Sequence, residues 1–308
     1  MEFLYFLESI RTPIGDAFFS TVTHLGEETL FIVAGLLVFW CVNKMEGYYL
    51  LTVGLSGTVI NQFLKMWFRI PRPWVKDPNF TIVESARAEA TGYSFPSGHT
   101  QSSVGIFGAL TKWNRESIVR FVCILICILV PLSRLYLGVH TPADVGVSIA
   151  VALVLILGIY PMIQKSVNDP KYMRILMGSM LLGSILFVLF VEFYPFPADM
   201  DPHNMTSGTK NAYTMLGSIL GVWLTYEVDH RRLHFETDGA LPAQICKLVC
   251  GLVILLGVKA GLKAPLYAVC GGHYIADMIR YFLMVAFAGC IWPRTFPFWK
   301  KIAARMPR

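Results

Sequence analysis

The sequence predicts an all-α membrane protein, a polytopic helical bundle of about nine spans. Three observations carry this. The 308 residues are 55% hydrophobic and only 15% charged, against about 25% charged in ordinary soluble domains. Mean hydropathy is +0.56. Apolar runs recur along the whole chain, and a bilayer crossing takes about 20 such residues. The alternating charged segments that would solvate a large α/β enzyme are missing.

Residues 1–27 read as an N-terminal interfacial helix. Met1 to Arg11 is apolar and acidic rather than basic, so it does not read as a cleavable leader. Apolar runs then follow at residues 28–43, 47–67, 98–111, 118–132, 143–164, 173–193, 211–227, 242–259 and 272–292. The run at 98–111 is short and is expected to be a helix from Pro96 to about Trp113. The loop 74–95 is long and holds Trp74, Phe80, Tyr93 and Phe95. These aromatics read as interface anchors before they read as a lining for an acyl or prenyl chain.

The net charge is +6, but the basic residues sit in short loops and at the C-terminus rather than in a stripe, so no nucleic-acid partner is expected. Lys112, Arg115, Arg120, Lys165, Lys171, Arg174 and the tail with Arg294, Lys300, Lys301, Arg305 and Arg308 fall on one side of the bundle. By the positive-inside rule that side is cytoplasmic. The opposite side, which receives the loops 68–97, 133–142, 194–210 and 260–271, is then extracytoplasmic or lumenal. The expected location is the plasma membrane in a bacterium or the endoplasmic reticulum in a eukaryote. The seven cysteines are odd in number, show no CxxC pair and lie mostly inside apolar runs. They read as small apolar fillers.

Three short clusters stand at the ends of apolar runs, all on the extracytoplasmic side: Lys65 with Arg72-Pro73, Pro96-Ser97-Gly98-His99, and Ser133-Arg134 with His140 and Asp144. Lys65 and Arg69 are spaced to share a helix face, Arg69 as a snorkelling residue. Arg72 follows once Pro71 has broken the helix. Arginine suits bidentate phosphate contact and lysine acts as a point charge. Ser97-Gly98-His99 opens a helix whose unpaired N–H groups and positive dipole end can hold an anion. Ser97 is an N-cap or a phosphate donor, and Gly98 lets the backbone approach closely. His140 and Asp144 are four apart, so the carboxylate can hold one ring nitrogen while the other is free to attack phosphorus. No HExxH or carboxylate-rich metal set is present. No metal or other cofactor is expected, and chelators should leave activity intact.

Lys65-x6-Arg72-Pro73, Pro96-Ser97-Gly98-His99 and Ser133-Arg134-x5-His140-x3-Asp144 resemble the three signature motifs of the type 2 phosphatidic acid phosphatase family, whose superfamily includes glucose-6-phosphatase and the vanadium haloperoxidases. The resemblance covers roughly residues 15–165. It implies a six-helix catalytic core, here placed at 28–193, and a phosphohistidine mechanism. His140 would be the nucleophile and His99 the acid for the leaving alkoxide. Lys65, Arg72, Ser97, Gly98 and Arg134 would hold the phosphoryl oxygens. The implied activity is hydrolysis of a lipid phosphate or diphosphate. Candidate substrates are phosphatidic acid, a sphingoid-base phosphate or a polyprenyl (di)phosphate, with glucose 6-phosphate behind them.

Residues 194–308 are expected to form a membrane extension of about three spans. The layout beyond residue 166 is similar to the sphingosine-1-phosphate phosphatase branch and to long bacterial members. His273 and Asp277 repeat the H-x3-D spacing, but without an accompanying PSGH string they read as a structural pair, with Arg280 as a candidate partner. The rival reading of the chain is an inactive lipid-phosphate binder or transporter using the same cations. Oligomeric state and substrate identity carry no sequence signal.

Overall fold

The computed structural model describes residues 1–303, so Arg305 and Arg308 of the basic tail lie outside the described residues. Those residues form helices and connecting loops. They are α1 (Glu2–Ser9), α2 (Pro13–Thr23), α3 (Glu28–Cys41), α4 (Lys44–Phe68), the single turn α5 (Pro73–Lys76), α6 (Gly98–Trp113), α7 (Ser117–Tyr136), α8 (Pro142–Ser166), α9 (Pro170–Phe193), α10 (Pro202–Val228), α11 (Leu241–Val269), α12 (Ile275–Ala286) and α13 (Phe296–Ala303). Proline at the first position starts many of them. Its fixed φ suits a helix, and its missing N–H would have had no partner there. The residue before it often supplies the cap. Thr12 accepts from Gly15 N, Asp169 from Lys171 N at 2.9 Å, and Asp201 from His203 N at 2.9 Å.

Each of the nine apolar runs is occupied by helix, but nine crossings are not confirmed. Five helical segments are long and apolar enough to cross a bilayer: Ser117–Tyr136, Pro142–Ser166, Pro170–Phe193, Leu241–Val269 and Ile275–Ala303. A sixth arises if Pro13–Gly26 and Glu28–Cys41, bent by 50°, count as one. Of the others, α6 is only 16 residues, and α4 and α10 carry polar residues that lower their hydropathy. The crossing helices present bare apolar side chains outward: Ile118 is 79%, Val154 70% and Phe193 79% exposed. Lipid is the solvent that such faces need, and the chain is an integral membrane protein.

Two other expectations change. Arg69 does not extend the face of Lys65. The helix ends at Phe68, and Arg69 takes a left-handed backbone with φ of 50°, from which its guanidinium donates to Met66 O at 2.9 Å. This sharp exit redirects the chain toward Arg72. The aromatics of loop 74–95 are also less exposed than interface anchors. Phe80 is buried in a small core with Leu4, Ile82, Ala86, Ala90, Tyr136, Leu137 and Val139, and Trp74 packs against it. The loop needs this core because it is long and otherwise irregular.

The chain divides into two compact units. One contains residues 1–32, 56–161 and 195–208, and the other 33–55, 162–194 and 209–308. In the first, α7 packs against α6, α2 and α1. Gly138 closes the turn after α7 at a φ of +81°, where a Cβ would meet the Arg11 guanidinium at 2.6 Å. In the second, the aromatic core is built on Trp40, whose indole N–H donates to Ala288 O at 2.9 Å.

Candidate active site

All three sequence clusters lie in the first unit. The N-termini of α6 and α8 bind them together. Ser97 caps α6 by accepting from Thr100 N at 3.4 Å. Its own N–H donates to the Asp144 carbonyl at 3.2 Å. The Ser148 hydroxyl donates to both Ser97 O and Asp144 O at 2.9 Å. The start of α8 is a reciprocal cap: Thr141 N donates to Asp144 Oδ2 at 2.7 Å, and Asp144 N donates to Thr141 Oγ1 at 3.3 Å. This is the capping-box arrangement with Asp in place of Glu. Asp144 therefore caps its helix and, with the same oxygen, faces His140 Nδ1 at 3.4 Å.

His140 is 1% exposed. Arg72 Nη1 donates to its Nε2 at 2.9 Å. Arginine carries no acceptor, so Nε2 holds the lone pair and the ring proton sits on Nδ1, toward Asp144. Burial, followed by the charges of Arg72, Arg134 and Lys65, pushes the imidazole well below its ordinary value, so it is neutral at physiological pH. A neutral Nδ1–H tautomer leaves the nucleophilic lone pair on Nε2. Here that lone pair accepts from Arg72, a bond that must pass to a phosphoryl oxygen before Nε2 can attack.

The cations are fixed by oxygen atoms of the backbone. Arg72 is 6% exposed and spreads its donors to Gly92 O at 3.1 Å, Thr91 O at 2.7 Å and Val139 O at 2.9 Å. Burial pulls its guanidinium down to about 10, with Asp144 opposing that shift, so it remains charged at neutral pH. Lys65 Nζ donates to Tyr93 O at 2.6 Å. Arg134, at 0% exposed, donates to the Thr23 hydroxyl at 2.6 Å, and its Nε has no hydrogen-bond partner. His99 lies in the first turn of α6 and is not a fully buried residue. Three cations, two helix starts and an imidazole thus lie in one unit, a donor set of the kind that suits an anion.

Two residues escaped the sequence reading. Ser94 is fully buried and donates to Asp144 Oδ2 at 2.6 Å, 3.5 Å from His140 Nδ1. Its only sequence signal is its place three residues before Ser97. Thr23, which holds Arg134, lies 111 residues away from it in the chain and carried no signal. Among the described residues, His24, Glu27 and Glu89 have ligand atoms within 4.8 Å of one another, close enough for a metal. There His24 Nδ1 is hydrogen-bonded directly to Glu27.

In the second unit the H-x3-D residues take separate partners rather than each other, and Arg280 is the partner of Asp277. Asp277 is bonded to Arg280 and to the Tyr267 hydroxyl, and His273 Nδ1 accepts from Ile275 N at 3.1 Å.

Comparison with known proteins agrees with this layout. Residues 46–168 match the PAP2 superfamily, and residues 213–304 match the transmembrane extension of PAP2 superfamily phosphatases. The chain is 28% identical to a probable sphingosine-1-phosphate phosphatase of Dictyostelium discoideum, over 71% of this chain and 56% of that protein. It is 24% identical to lipid phosphate phosphatase delta of Arabidopsis thaliana, over 82% of this chain and 63% of that protein. It is 31% identical to an undecaprenyl-diphosphatase of Bacillus subtilis, over 39% of this chain and 61% of that protein. The matches thus span between about half and two thirds of these relatives. No solved structure matches the chain. The signature residues gathered at the starts of α6 and α8, together with these two matched regions, make the chain a member of the PAP2 superfamily.

Proposed function

We propose that the protein is a phosphatase that hydrolyses a lipid phosphate or lipid diphosphate through a phosphohistidine at His140. The observation that carries this reading is the setting of the His140 ring between Asp144 and Arg72. Asp144 fixes its Nδ1, and its Nε2 lone pair faces Arg72. A site that only bound the anion would have no use for an oriented, neutral imidazole.

In the first step Nε2 attacks phosphorus as the bond to the lipid oxygen breaks, and His99 gives that oxygen its proton. In the second step water attacks the phosphoimidazole, His99 takes a proton back, and phosphate leaves with His140 restored. Lys65, Arg72 and Arg134 take the charge on the equatorial oxygens, helped by the Ser97 hydroxyl and the backbone N–H of Gly98. Phosphoryl transfer asks mainly for this positioning and charge stabilisation, and these groups supply what a metal clamp would supply elsewhere.

The names of the relatives point to lipid substrates: sphingosine 1-phosphate, lipid phosphates and undecaprenyl diphosphate. We place the site on the extracytoplasmic or lumenal face, because the basic loops gather at the opposite ends of the helices. Residues 1–27 serve as an interfacial segment, a role supported by Phe3, Phe6 and Ile14, which are exposed beside the packed Leu4. Residues 28–193 then carry the catalytic core and 194–308 the membrane extension. Phosphate release from a short-chain phosphatidate by purified protein, with and without EDTA, tests the reading. Release that persists in EDTA supports it. No release, or release abolished by the chelator and restored by a metal, contradicts it.

A further inference from the structure

The two histidines of the site differ in their counter-charges. His140 faces Asp144 through Nδ1. His99 faces a second carboxylate that belongs to none of the three motifs: Glu89 Oε2 lies 3.5 Å from His99 Nε2. Neither of these atoms has a hydrogen-bond partner elsewhere, although both are buried. The other oxygen, Glu89 Oε1, lies 3.4 Å from His24 Nδ1, and that nitrogen also bonds Glu27. The contact depends on a close approach of the turn at residues 24–26. A Cβ on Gly26 would stand 2.9 Å from His99 Cβ and from Val130 Cγ1. Glu89 thus connects the inner imidazole to His24, whose side chain is 57% exposed.

We propose that Glu89 is a positioning residue that holds His99 as the imidazolium the first step needs, with the proton for the leaving oxygen on Nδ1. This rests on the phosphatase reading above. The groups facing His99 are Arg134, Arg72 and Lys65 from the three clusters, His24 from the adjoining turn, and Glu89. In the protein alone burial, followed by the charges of Arg134, Arg72, Lys65 and His24, pulls the His99 imidazole down to about 3. The bound phosphate dianion offsets those cations, and Glu89 is the carboxylate in contact with the ring that then holds its proton. Glu89 binds the Nε2–H, so the ring presents Nδ1–H to the substrate. His140 uses the opposite pair of nitrogens. The proton balance closes over the cycle: Nδ1–H goes to the lipid oxygen when the P–O bond breaks, and Nδ1 recovers a proton from the attacking water. His24 and Glu27 set the orientation of Glu89 and give its side of the pair a path to bulk protons.

The test compares leaving groups. An alkoxide needs a proton to leave, while p-nitrophenolate leaves without one. In Glu89→Gln, kcat on dioctanoyl phosphatidate is expected to fall by about 10²-fold or more, the range for a lost general acid. Turnover of p-nitrophenyl phosphate is expected to fall less than about tenfold. Glu89→Asp should recover part of the phosphatidate rate. In parallel, histidine-selective NMR of the phosphate-bound protein in detergent follows the titration of His99, whose midpoint should drop by a unit or more in Glu89→Gln. Equal losses on both substrates, or an unmoved His99 titration, overturn the proposal. If the wild type releases phosphate from neither substrate, the phosphatase reading itself fails, and the NMR titration still decides whether Glu89 holds the His99 proton.

Discussion

Two regions of this molecule handle their cations in different ways. In the second compact unit several are matched by carboxylates, the partly exposed Lys44 with Asp229 at 2.8 Å and Arg174 with Glu227 at 2.7 Å, and the buried Arg280 with Asp277. Lys247 differs, donating to the carbonyls of Thr237 and Asp238. In the first unit Lys65, Arg72 and Arg134 gather at one place and donate to carbonyls and a hydroxyl. Asp144, the carboxylate that acts on Lys65 and Arg72, already accepts from Ser94 and from Thr141 N. Burying charge without a partner costs several kcal/mol per ion. Matched pairs hold helices together, while a concentrated positive excess is useful only if an anion is to be held there. The repeated H-x3-D spacing makes the same point. At His140 and Asp144 the two side chains meet at 3.4 Å among cations without carboxylate partners, while Asp277 turns to Arg280 and Tyr267 as a brace and His273 bonds the backbone of Ile275.

The largest expected effect breaks the first region. His140→Ala should lower kcat/KM by about 10³-fold or more, as the loss of a covalent route implies, measured as phosphate release. Arg72→Lys keeps the charge but loses the fan of donors that fixes it between the 91–92 carbonyls and His140. It should cost about 10²-fold, with a loss of inhibition by vanadate as a second readout.

These two regions were not equally legible. Lys65, Arg72, Ser97, His99, Arg134, His140 and Asp144 were readable because a catalytic geometry fixes residue types and spacing within short strings. Helix positions were readable because apolar runs must be long. The number of crossings was not, since α4, α6 and α10 carry polar residues whose cost is offset by packing that a hydropathy window cannot see. Thr23 was hidden because its contact with Arg134 spans 111 residues, and Glu89 because it lies in an irregular loop outside the three strings. The buried state of Phe80 was hidden because an aromatic in a polar loop reads the same whether it faces lipid or a small core.

The next effect sharpens the contrast from the side of the second region. Asp277→Asn leaves Arg280 buried beside a neutral amide, which should lower stability by about 3 kcal/mol, read as a drop in Tm. Turnover per folded molecule should change less than about threefold. A loss of activity that matches His140→Ala would erase the distinction between brace and site. Ser94→Ala, which loosens Asp144 without removing it, should cost about tenfold in kcat, near the net worth of one hydrogen bond to a charged group.

The smallest effect is on stability against pH. His140 is held neutral below its ordinary value, so the unfolded chain binds a proton there that the native state does not. Stability should therefore be complete above about pH 6.5 and fall as pH drops below it. His140→Phe should flatten this part of a Tm-against-pH curve, and an unchanged slope would mean that the imidazole is charged in the fold.

The central claim is that phosphorus becomes bonded to His140. Phosphoryl-imidazoles survive base and are lost in acid. Purified protein mixed with a ³²P-labelled short-chain lipid phosphate and quenched in alkali should carry acid-labile label on the peptide containing His140. The label should be absent in His140→Ala. Substrate turnover by the wild type with no such label, or label that persists in the variant, would contradict the account.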